Sequence, residues 1–170
     1  MNLKDMVLTS LLLAMGLVLH QVTPPLMGGM KPDFLLAMLF IALFIDHSPK
    51  KALLAGLLAG IFAALTTGFP GGQTANLIDK PITAFTVYLL INAMAKFNFQ
   101  ITVALISLLG TIVSGTVFLT SALVIFGSLP GAFSALFTTI VIPTALINTI
   151  VTFICYHVIT IAKKNVTDAC

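Results

Sequence analysis

Four charged side chains stand out because they lie in or beside apolar stretches, where a charge is costly. Lys31 and Asp33 are two residues apart, and Asp79 and Lys80 are adjacent. Each pair is neutral, and a zwitterion, which carries an ammonium and a carboxylate, needs both signs close together. Ionisable groups at membrane depth commonly mark binding or transport pathways. We therefore predict a site for a small zwitterion here; the alternative is two ordinary ion pairs that anchor helix ends at the interface.

Other polar residues lie at the same predicted depth. His20 and Gln21 close the first apolar stretch, and Thr120 lies in the fifth. Each of these residues alone more often forms a helix–helix hydrogen bond than a ligand contact. The prediction that they belong to the site therefore rests on their shared depth. Aromatic residues in the same half would enclose an apolar ring by stacking or edge contacts, although membrane core is the commoner role for any one of them. They are Phe69, Phe85, Phe118, Phe133 and Phe137.

The segment 76–81 (Asn-Leu-Ile-Asp-Lys-Pro) adds a helix-end prediction. Proline disrupts a helix interior, so we expect a helix to begin or kink near Pro81, with Asn76 and Asp79 capping its free N–H groups. Such a helix end can hold a carboxylate. This prediction places backbone donors beside the charged side chains.

The composition indicates a membrane protein. Of the 170 residues, 59% are hydrophobic and 8% are charged, whereas soluble domains carry about 25% charged residues. At roughly 20 apolar residues per crossing, the length suits an all-α integral membrane protein with six transmembrane helices in one domain, residues 1–170. The first apolar run lacks a cleavage site, so we expect a retained helix and not a signal peptide. The predicted spans are 6–22, 32–45, 51–66, 75–95, 101–126 and 132–162.

The lysines predict the orientation. The chain has eight lysines and no arginine, and cytoplasmic loops carry the excess of positive residues. Six lysines fall on one side of the predicted bundle and two on the other, so both termini should be cytoplasmic. The outer loops 23–33, 66–74 and 127–131 are rich in Gly and Pro and form either a lid over a pocket or simple tight turns. The inner lysines are Lys4, Lys50, Lys51, Lys96, Lys163 and Lys164, and the outer ones are Lys31 and Lys80.

Several function classes lack the residues they need. The chain has no phosphate-binding loop, no zinc-protease spacing, no nucleophile elbow and no glutamate, so neither ATP hydrolysis nor proteolysis is expected. We therefore expect no enzyme activity, cofactor or metal site. A basic stripe for nucleic acid is also missing, and the two cysteines have no metal or disulfide spacing.

Small residues mark a packing surface on the third helix. Ala52, Gly56, Gly60 and Ala64 recur every four residues, a spacing that lets two helices approach closely. Packing within the chain is the favoured interpretation, and a partner protein is the alternative. Pro143 is expected to kink the sixth helix.

Three segments resemble a known family. Residues 28–33 (Gly-Gly-Met-Lys-Pro-Asp), 76–81 and 110–119 (Gly-Thr-Ile-Val-Ser-Gly-Thr-Val-Phe-Leu) look like signature segments of the bacterial tryptophan transporter family TrpP. The resemblance covers nearly the whole chain. TrpP is similar to the S-components of energy-coupling factor (ECF) importers, which implies an S-component-like bundle in the bacterial plasma membrane. It further implies a transmembrane coupling protein and ATPase subunits as partners, with Ser10 and Ala14 in place of the usual Ala-x-x-x-Ala docking pair.

The resemblance implies uptake of L-tryptophan or a related small aromatic zwitterion. Asp79 would meet the ammonium, and Lys80 or Lys31 the carboxylate. A stand-alone ion-coupled amino-acid transporter and a structural or assembly membrane protein are the alternatives. The predicted binding residues are His20, Gln21, Lys31, Asp33, Asn76, Asp79, Lys80, Phe118 and Thr120.

Overall fold

The computed structural model describes residues 3–24 and 31–168. Within these ranges the chain is helical and contains no strand, so the predicted all-helical fold with six helices is confirmed. The last helix is continuous but changes its winding near its start. The helices are α1 (Leu3–Val22), α2 (Phe34–Ile45), α3 (Pro49–Thr66), α4 (Gly72–Ala93), α5 (Phe99–Phe126) and α6, which joins Phe133–Leu136, a π-helical turn Phe137–Val141 and Ile142–Asp168.

Successive helices run antiparallel, which brings distant segments together at two ends. At one end the ring of Phe69, before α4, lies 5.2 Å from that of Phe118 in α5. At the other, Phe44 near the end of α2 lies 5.9 Å from Tyr156 of α6. We call the first the cavity end and the second the opposite end. Leu3 and Asp168 both belong to the opposite end.

Four described helices are long and apolar enough to cross a membrane, which makes this a membrane protein. The other two helices do not combine this length with this apolar composition: α4 carries Asp79 and Lys80, and α2 has only 12 residues. The four are Leu3–Val22, Pro49–Thr66, Phe99–Phe126 and Phe133–Ala162.

Helix α2 is the core of the bundle. Its ten residues from Leu35 to Phe44 are all buried, because the other helices surround it. At 1.5 Å per residue its 12 residues span about 18 Å, against a hydrocarbon core of about 30 Å. The second predicted span is therefore shorter than a full membrane crossing. It packs against protein on all sides. Its first turn, capped by Asp33, lies inside the bundle.

The small residues of α3 pack against α4, as predicted. A Cβ added at Gly56 would lie 2.8 Å from the Cβ of Ala84 and 2.9 Å from the Cα of Pro81. The leucines on the opposite face, among them Leu57 and Leu58, are exposed and would meet lipid. The seam therefore joins two helices of the same chain.

Of the helix start or kink expected near Pro81, the start is wrong, and the helix follows the predicted span 75–95 more closely. Helix α4 begins at Gly72, after Gly71 in the left-handed conformation (φ 73°), and Pro81 lies inside it. The amide of Asn76 donates to the carbonyls of Gly72 at 2.9 Å and of Ala63 in the last turn of α3 at 3.4 Å, and it does not cap the start of α4. Asp79 likewise contacts only side chains in its recorded bonds. The left-handed glycine starts the helix earlier than proline would.

The irregularity in α6 is a π-helical turn that ends two residues before Pro143. Proline has no N–H to donate to the carbonyl four residues earlier, and the wider winding rearranges the bonds of that turn. Single π turns inside α-helices are frequent at functional sites. The turn also lines the cavity through Ile140 and Val141.

Candidate functional site

A cavity opens between α1, α2, α4, α5 and α6 near one end of the bundle. The space between its walls, open space at the mouth included, is about 570 Å³. Polar and apolar side chains share the lining. The polar group comprises His20, Lys31, Asp33, Thr67, Asn76, Asp79, Lys80, Thr111, Ser114 and Thr144; the apolar group comprises Leu36, Phe69, Phe118, Ile140 and Val141.

Three charged side chains form a cluster at the cavity. The Lys80 Nζ lies 2.6 Å from the Asp33 Oδ2 and 2.6 Å from the Asp79 Oδ2. Asp33 comes from the start of α2, and the other two come from α4, so the cluster joins these helices. Two carboxylates against one ammonium leave a net negative charge, which favours a cationic group from a ligand or from a neighbouring side chain.

The two carboxylates of the cluster have different environments. Asp79 is fully buried, and the hydroxyls of Thr83 and Ser114 donate to it at 2.8 Å each, in addition to Lys80. Asp33 keeps 16% of its side chain exposed and accepts one backbone bond, from the Leu36 N–H at 2.9 Å. Asp79 therefore holds Lys80 in position, whereas Asp33 is the carboxylate that a ligand can reach.

The predicted pairing of Lys31 with Asp33 is not formed. The Lys31 Nζ donates to the backbone carbonyls of His20 and Gln21 at 3.3 and 3.5 Å, and no carboxylate of the described chain forms a salt bridge with it. Asp33 points instead into the bundle, because it caps α2, and meets Lys80. Lys31 is thus a cation at the cavity whose hydrogen bonds to the described residues are both long.

His20 is the remaining polar group near Asp33. It is 7% exposed, and its Nδ1 lies 3.8 Å from the Asp33 Oδ1, beyond hydrogen-bond distance. Among the described residues this nitrogen has no hydrogen-bond partner. It is therefore available to a ligand group that enters between the two side chains.

The apolar lining is aromatic and branched aliphatic. The rings of Phe69 and Phe118 meet edge to face, a favourable arrangement for aromatic pairs. The π turn of α6 contributes Ile140 and Val141, and Val141 packs so tightly on Gly115 that an added Cβ would overlap its side chain. Apolar and charged side chains therefore line the same cavity.

Known proteins resemble this chain over nearly its whole length. The family described as "Tryptophan transporter TrpP" matches residues 2–164. The chain is 48% identical over 152 residues to a "Probable tryptophan transport protein" of Clostridium acetobutylicum, covering 89% of this chain and 88% of the relative. The chain belongs to the TrpP family. The resemblance inferred from the three signature segments is therefore confirmed.

Two further relatives of the TrpP-family chain carry the same printed name. One, from Bacillus subtilis, is 43% identical over 166 residues, covering 97% of this chain and 96% of the relative. Another, from Clostridium perfringens, is 42% identical over 168 residues, covering 93% and 92%. No solved structure matches the chain.

Most of the predicted binding residues of this TrpP-family chain meet at the cavity. Gln21 and Thr120 do not line it, and both are exposed. Thr120 lies off the face of α5 that carries Phe118 and Ser114, because each residue turns a helix by about 100°. The predicted residues that line the cavity are His20, Lys31, Asp33, Asn76, Asp79, Lys80 and Phe118.

Several other predicted residues do not line the cavity. Ser10 and Ala14 are exposed on α1, away from the cavity. Phe85 is 45% exposed, whereas Phe133 and Phe137 pack beside the cavity without lining it. Of the predicted loop 23–33, residues 25–30 lie outside the described part of the chain.

Sequence reasoning missed Ser114 and Thr111 as cavity residues. The signal was available, because Thr111, Ser114 and Phe118 are spaced three and four residues apart and so share one helix face. Thr144 and the π turn had no comparable signal, since nothing in the sequence predicts where a helix widens.

Proposed function

We propose that this chain binds L-tryptophan in the cavity and takes part in its uptake as the substrate-binding component of an ECF-type importer. The observation that carries the proposal is the Asp33–Lys80–Asp79 cluster beside the aromatic lining. A zwitterion with an apolar body needs both kinds of surface within one cavity. The family and the printed names of the relatives support tryptophan as the substrate.

The two charges of the substrate have separate partners in this proposal. Its ammonium meets Asp33, the cavity carboxylate with room for another donor. Its carboxylate meets Lys31, whose present bonds are long, with His20 beside it. Lys80 and Asp79 hold Asp33 in place. This assignment moves the ammonium from Asp79, whose oxygens already accept from three side chains.

The indole lies against the apolar lining. Phe69 and Phe118 present ring edges and faces, and Ile140 and Val141 complete the surface. Burying an aromatic ring in such a pocket supplies most of the binding free energy, whereas the charge contacts select an amino acid over plain indole. Smaller apolar amino acids would leave this surface partly unfilled.

The cavity end faces the outside of the cell in this proposal. The lysines at the opposite end outnumber those at the cavity end, which agrees with the positive-inside rule. The chain would be oriented in the bacterial plasma membrane with both termini in the cytoplasm. The exposed face of α1 with Ser10 and Ala14 would dock on the coupling protein, whose ATPase subunits drive release.

Fluorescence provides a direct test of binding. The chain contains no tryptophan, so indole emission reports the ligand alone. Titration of the detergent-solubilised protein should give a shifted, saturable emission. Asp33→Asn should weaken binding by roughly 10- to 150-fold, the loss of a hydrogen bond to a charged group. Asp5→Asn, at the opposite end, is the matched control.

A ligand series separates the two charge contacts. Tryptamine lacks the carboxylate and indole-3-propionate lacks the ammonium. Asp33→Asn should weaken tryptamine but not indole-3-propionate, and Lys31→Met should do the reverse. Equal losses for both ligands in either variant would contradict this pose, and no saturable signal from folded wild-type protein would contradict tryptophan binding.

A stand-alone ion-coupled transporter is the second candidate. It is favoured by one feature: Asp33 and Asp79 share a single lysine in a buried setting, and buried carboxylates serve as proton relays in transporters. Proteoliposomes decide between the two. Uptake driven by an ion gradient with this chain alone would overturn the ECF proposal, whereas uptake that requires the coupling protein, ATPases and ATP supports it.

A further inference from the structure

Two hydroxyls of α6 depart from the pattern of the other threonines in that helix. Thr138, Thr139, Thr149 and Thr160 each donate to a backbone carbonyl one turn earlier, at 2.6 to 2.9 Å. Thr144 and Thr152 do not, and among the described residues neither Oγ1 has a hydrogen-bond partner. The two are 6% and 0% exposed, so bulk water does not reach them.

Asn148 lies between them and completes a row. The three residues are four apart, on one face of α6, with about 6 Å between neighbours along the axis. Asn148 is fully buried. Its Nδ2 donates to the Thr111 Oγ1 at 3.5 Å, and its Oδ1 has no partner in the described chain. Thr144 lines the cavity, so the row begins there and runs toward the opposite end.

The facing wall on α5 is also polar. Ser107 and Thr111 are buried, and each donates its hydroxyl hydrogen to a carbonyl of its own helix, at 2.7 and 2.8 Å. Their oxygen lone pairs remain able to accept. The seam between α5 and α6 therefore carries donors and acceptors on both sides along more than two helical turns.

Buried hydroxyls elsewhere in the described chain have partners. Thr9, Thr102, Ser107 and Thr111 donate to backbone carbonyls. Thr83 and Ser114 donate to Asp79 in the charge cluster. Within the described residues, Thr144 and Thr152 have the only buried hydroxyls without a partner, and the other unpaired side-chain atoms are the Asn148 Oδ1 and the His20 Nδ1. Because an unpaired buried polar group costs free energy, the row calls for a bound species.

We propose that the α5–α6 seam binds a row of water molecules and forms the inner half of the passage through the protein. One water with two hydrogen bonds of about 2.8 Å joins polar atoms up to roughly 5.6 Å apart, which is close to the rise of about 6 Å between successive residues of the row. A metal ion instead needs several oxygens converging within about 2.6 Å, which a linear row does not supply. The passage part rests on the proposed transport function; the water row does not.

A ligand that leaves the charge cluster would find hydrogen-bond partners for its polar groups along this row. The π turn lies directly above it, between Thr144 and the start of α6. Helices bend most readily at such turns. Movement of α6 about the π turn would widen the seam without disturbing the packing of α3 on α4.

Cysteine accessibility tests the water row. In a chain with Cys155 and Cys170 replaced by alanine, Thr152→Cys should react with Ag⁺, a thiol-binding ion close to water in size that enters where a row of waters does. Ile150→Cys, on the exposed face of the same helix, is the lipid-facing control and should not react. An unreactive cysteine at 152 would overturn the proposal, and so would reactivity in potassium that is abolished by sodium, which would indicate an ion site.

Replacement of one hydroxyl tests the passage. Thr152→Val should leave the fluorescence-measured affinity for tryptophan unchanged, while uptake by the reconstituted system falls about fivefold, the loss expected from one missing hydrogen bond. Thr149→Val, whose hydroxyl bonds its own helix, should retain full uptake. Unchanged uptake in Thr152→Val would overturn the passage. Failure of wild-type protein to take up tryptophan would instead count against the proposed function.

Discussion

The interface of α3 with α4 and the interface of α5 with α6 flank the charge cluster and differ in composition. The first is built from Ala and Gly packed at van der Waals distance, with backbone behind them. The second carries the hydroxyls of Thr144 and Thr152 and the Oδ1 of Asn148, which are unpaired in the described chain. Close-packed small residues resist separation, whereas a polar seam gains partners when water enters. The comparison indicates a fixed half and a half that is able to open.

Removal of the charge that joins the two halves should have the largest effect. Lys80→Met leaves Asp33 and Asp79 buried without their common cation, and breaking a buried pair costs about 3–5 kcal/mol. We expect the detergent-solubilised protein to lose its monodisperse chromatographic peak at a clearly lower temperature. Lys96→Met, exposed at the opposite end, should behave as wild type.

The double variant Asp79→Asn with Lys80→Met sharpens that result. It removes one of the two uncompensated carboxylates, so it should recover part of the lost stability. If Lys80→Met were as stable as wild type, the charge cluster would not hold the two interfaces together.

Crowding the small-residue seam should have the next largest effect. Gly56→Val would place a side chain against the backbone of Pro81 and the carbonyl of Lys80, and such overpacking costs about 1–3 kcal/mol. Thermal denaturation followed by size-exclusion chromatography measures it. Gly131→Val is the control, because the nearest atoms to an added Cβ there lie 3.8 Å away. A tolerant Gly56 would show that α3 and α4 separate as easily as α5 and α6.

The smallest effect should come from the α5 side of the cluster. Ser114→Ala removes one of three donors to Asp79, and a single hydrogen bond contributes about 1 kcal/mol. Stability should fall slightly, and tryptophan affinity should change little, because Asp79 positions Lys80 without touching the ligand. Thr116→Val, exposed on the same helix, is the control. A large loss of affinity with unchanged stability would indicate that Asp79 contacts the ligand directly.

The sequence predicted the elements of the fold better than their contacts. Breaks in the apolar pattern located six helices, because a bilayer requires long apolar segments and loops interrupt them. Helix α4 begins three residues before the predicted span 75–95, and not near Pro81, where a start was one of two alternatives. The left-handed Gly71 sets this start, and no hydrophobic period shows that. The π turn in α6 was equally invisible to periodicity.

The sequence identified the residues of the site but not which of them contact each other. Residue type and depth suffice to select Asp33 and Lys80, because charges are rare in membrane segments. Their contact joins positions 47 apart in the sequence and depends on how deep α2 begins. Proximity along the chain instead suggested Lys31 with Asp33. Likewise, Thr144 and Thr152 resemble the other threonines of α6 until the hydrogen bonds are known.

The shortness of α2 has a consequence for biogenesis. The insertion machinery recognises segments of about 20 apolar residues, and α2 has 12, all but two of them enclosed by other helices. A segment this short is a weak signal for entering the bilayer by itself. We expect α2 to be inserted only together with α1 and α3, so that the first three helices enter the membrane as one unit.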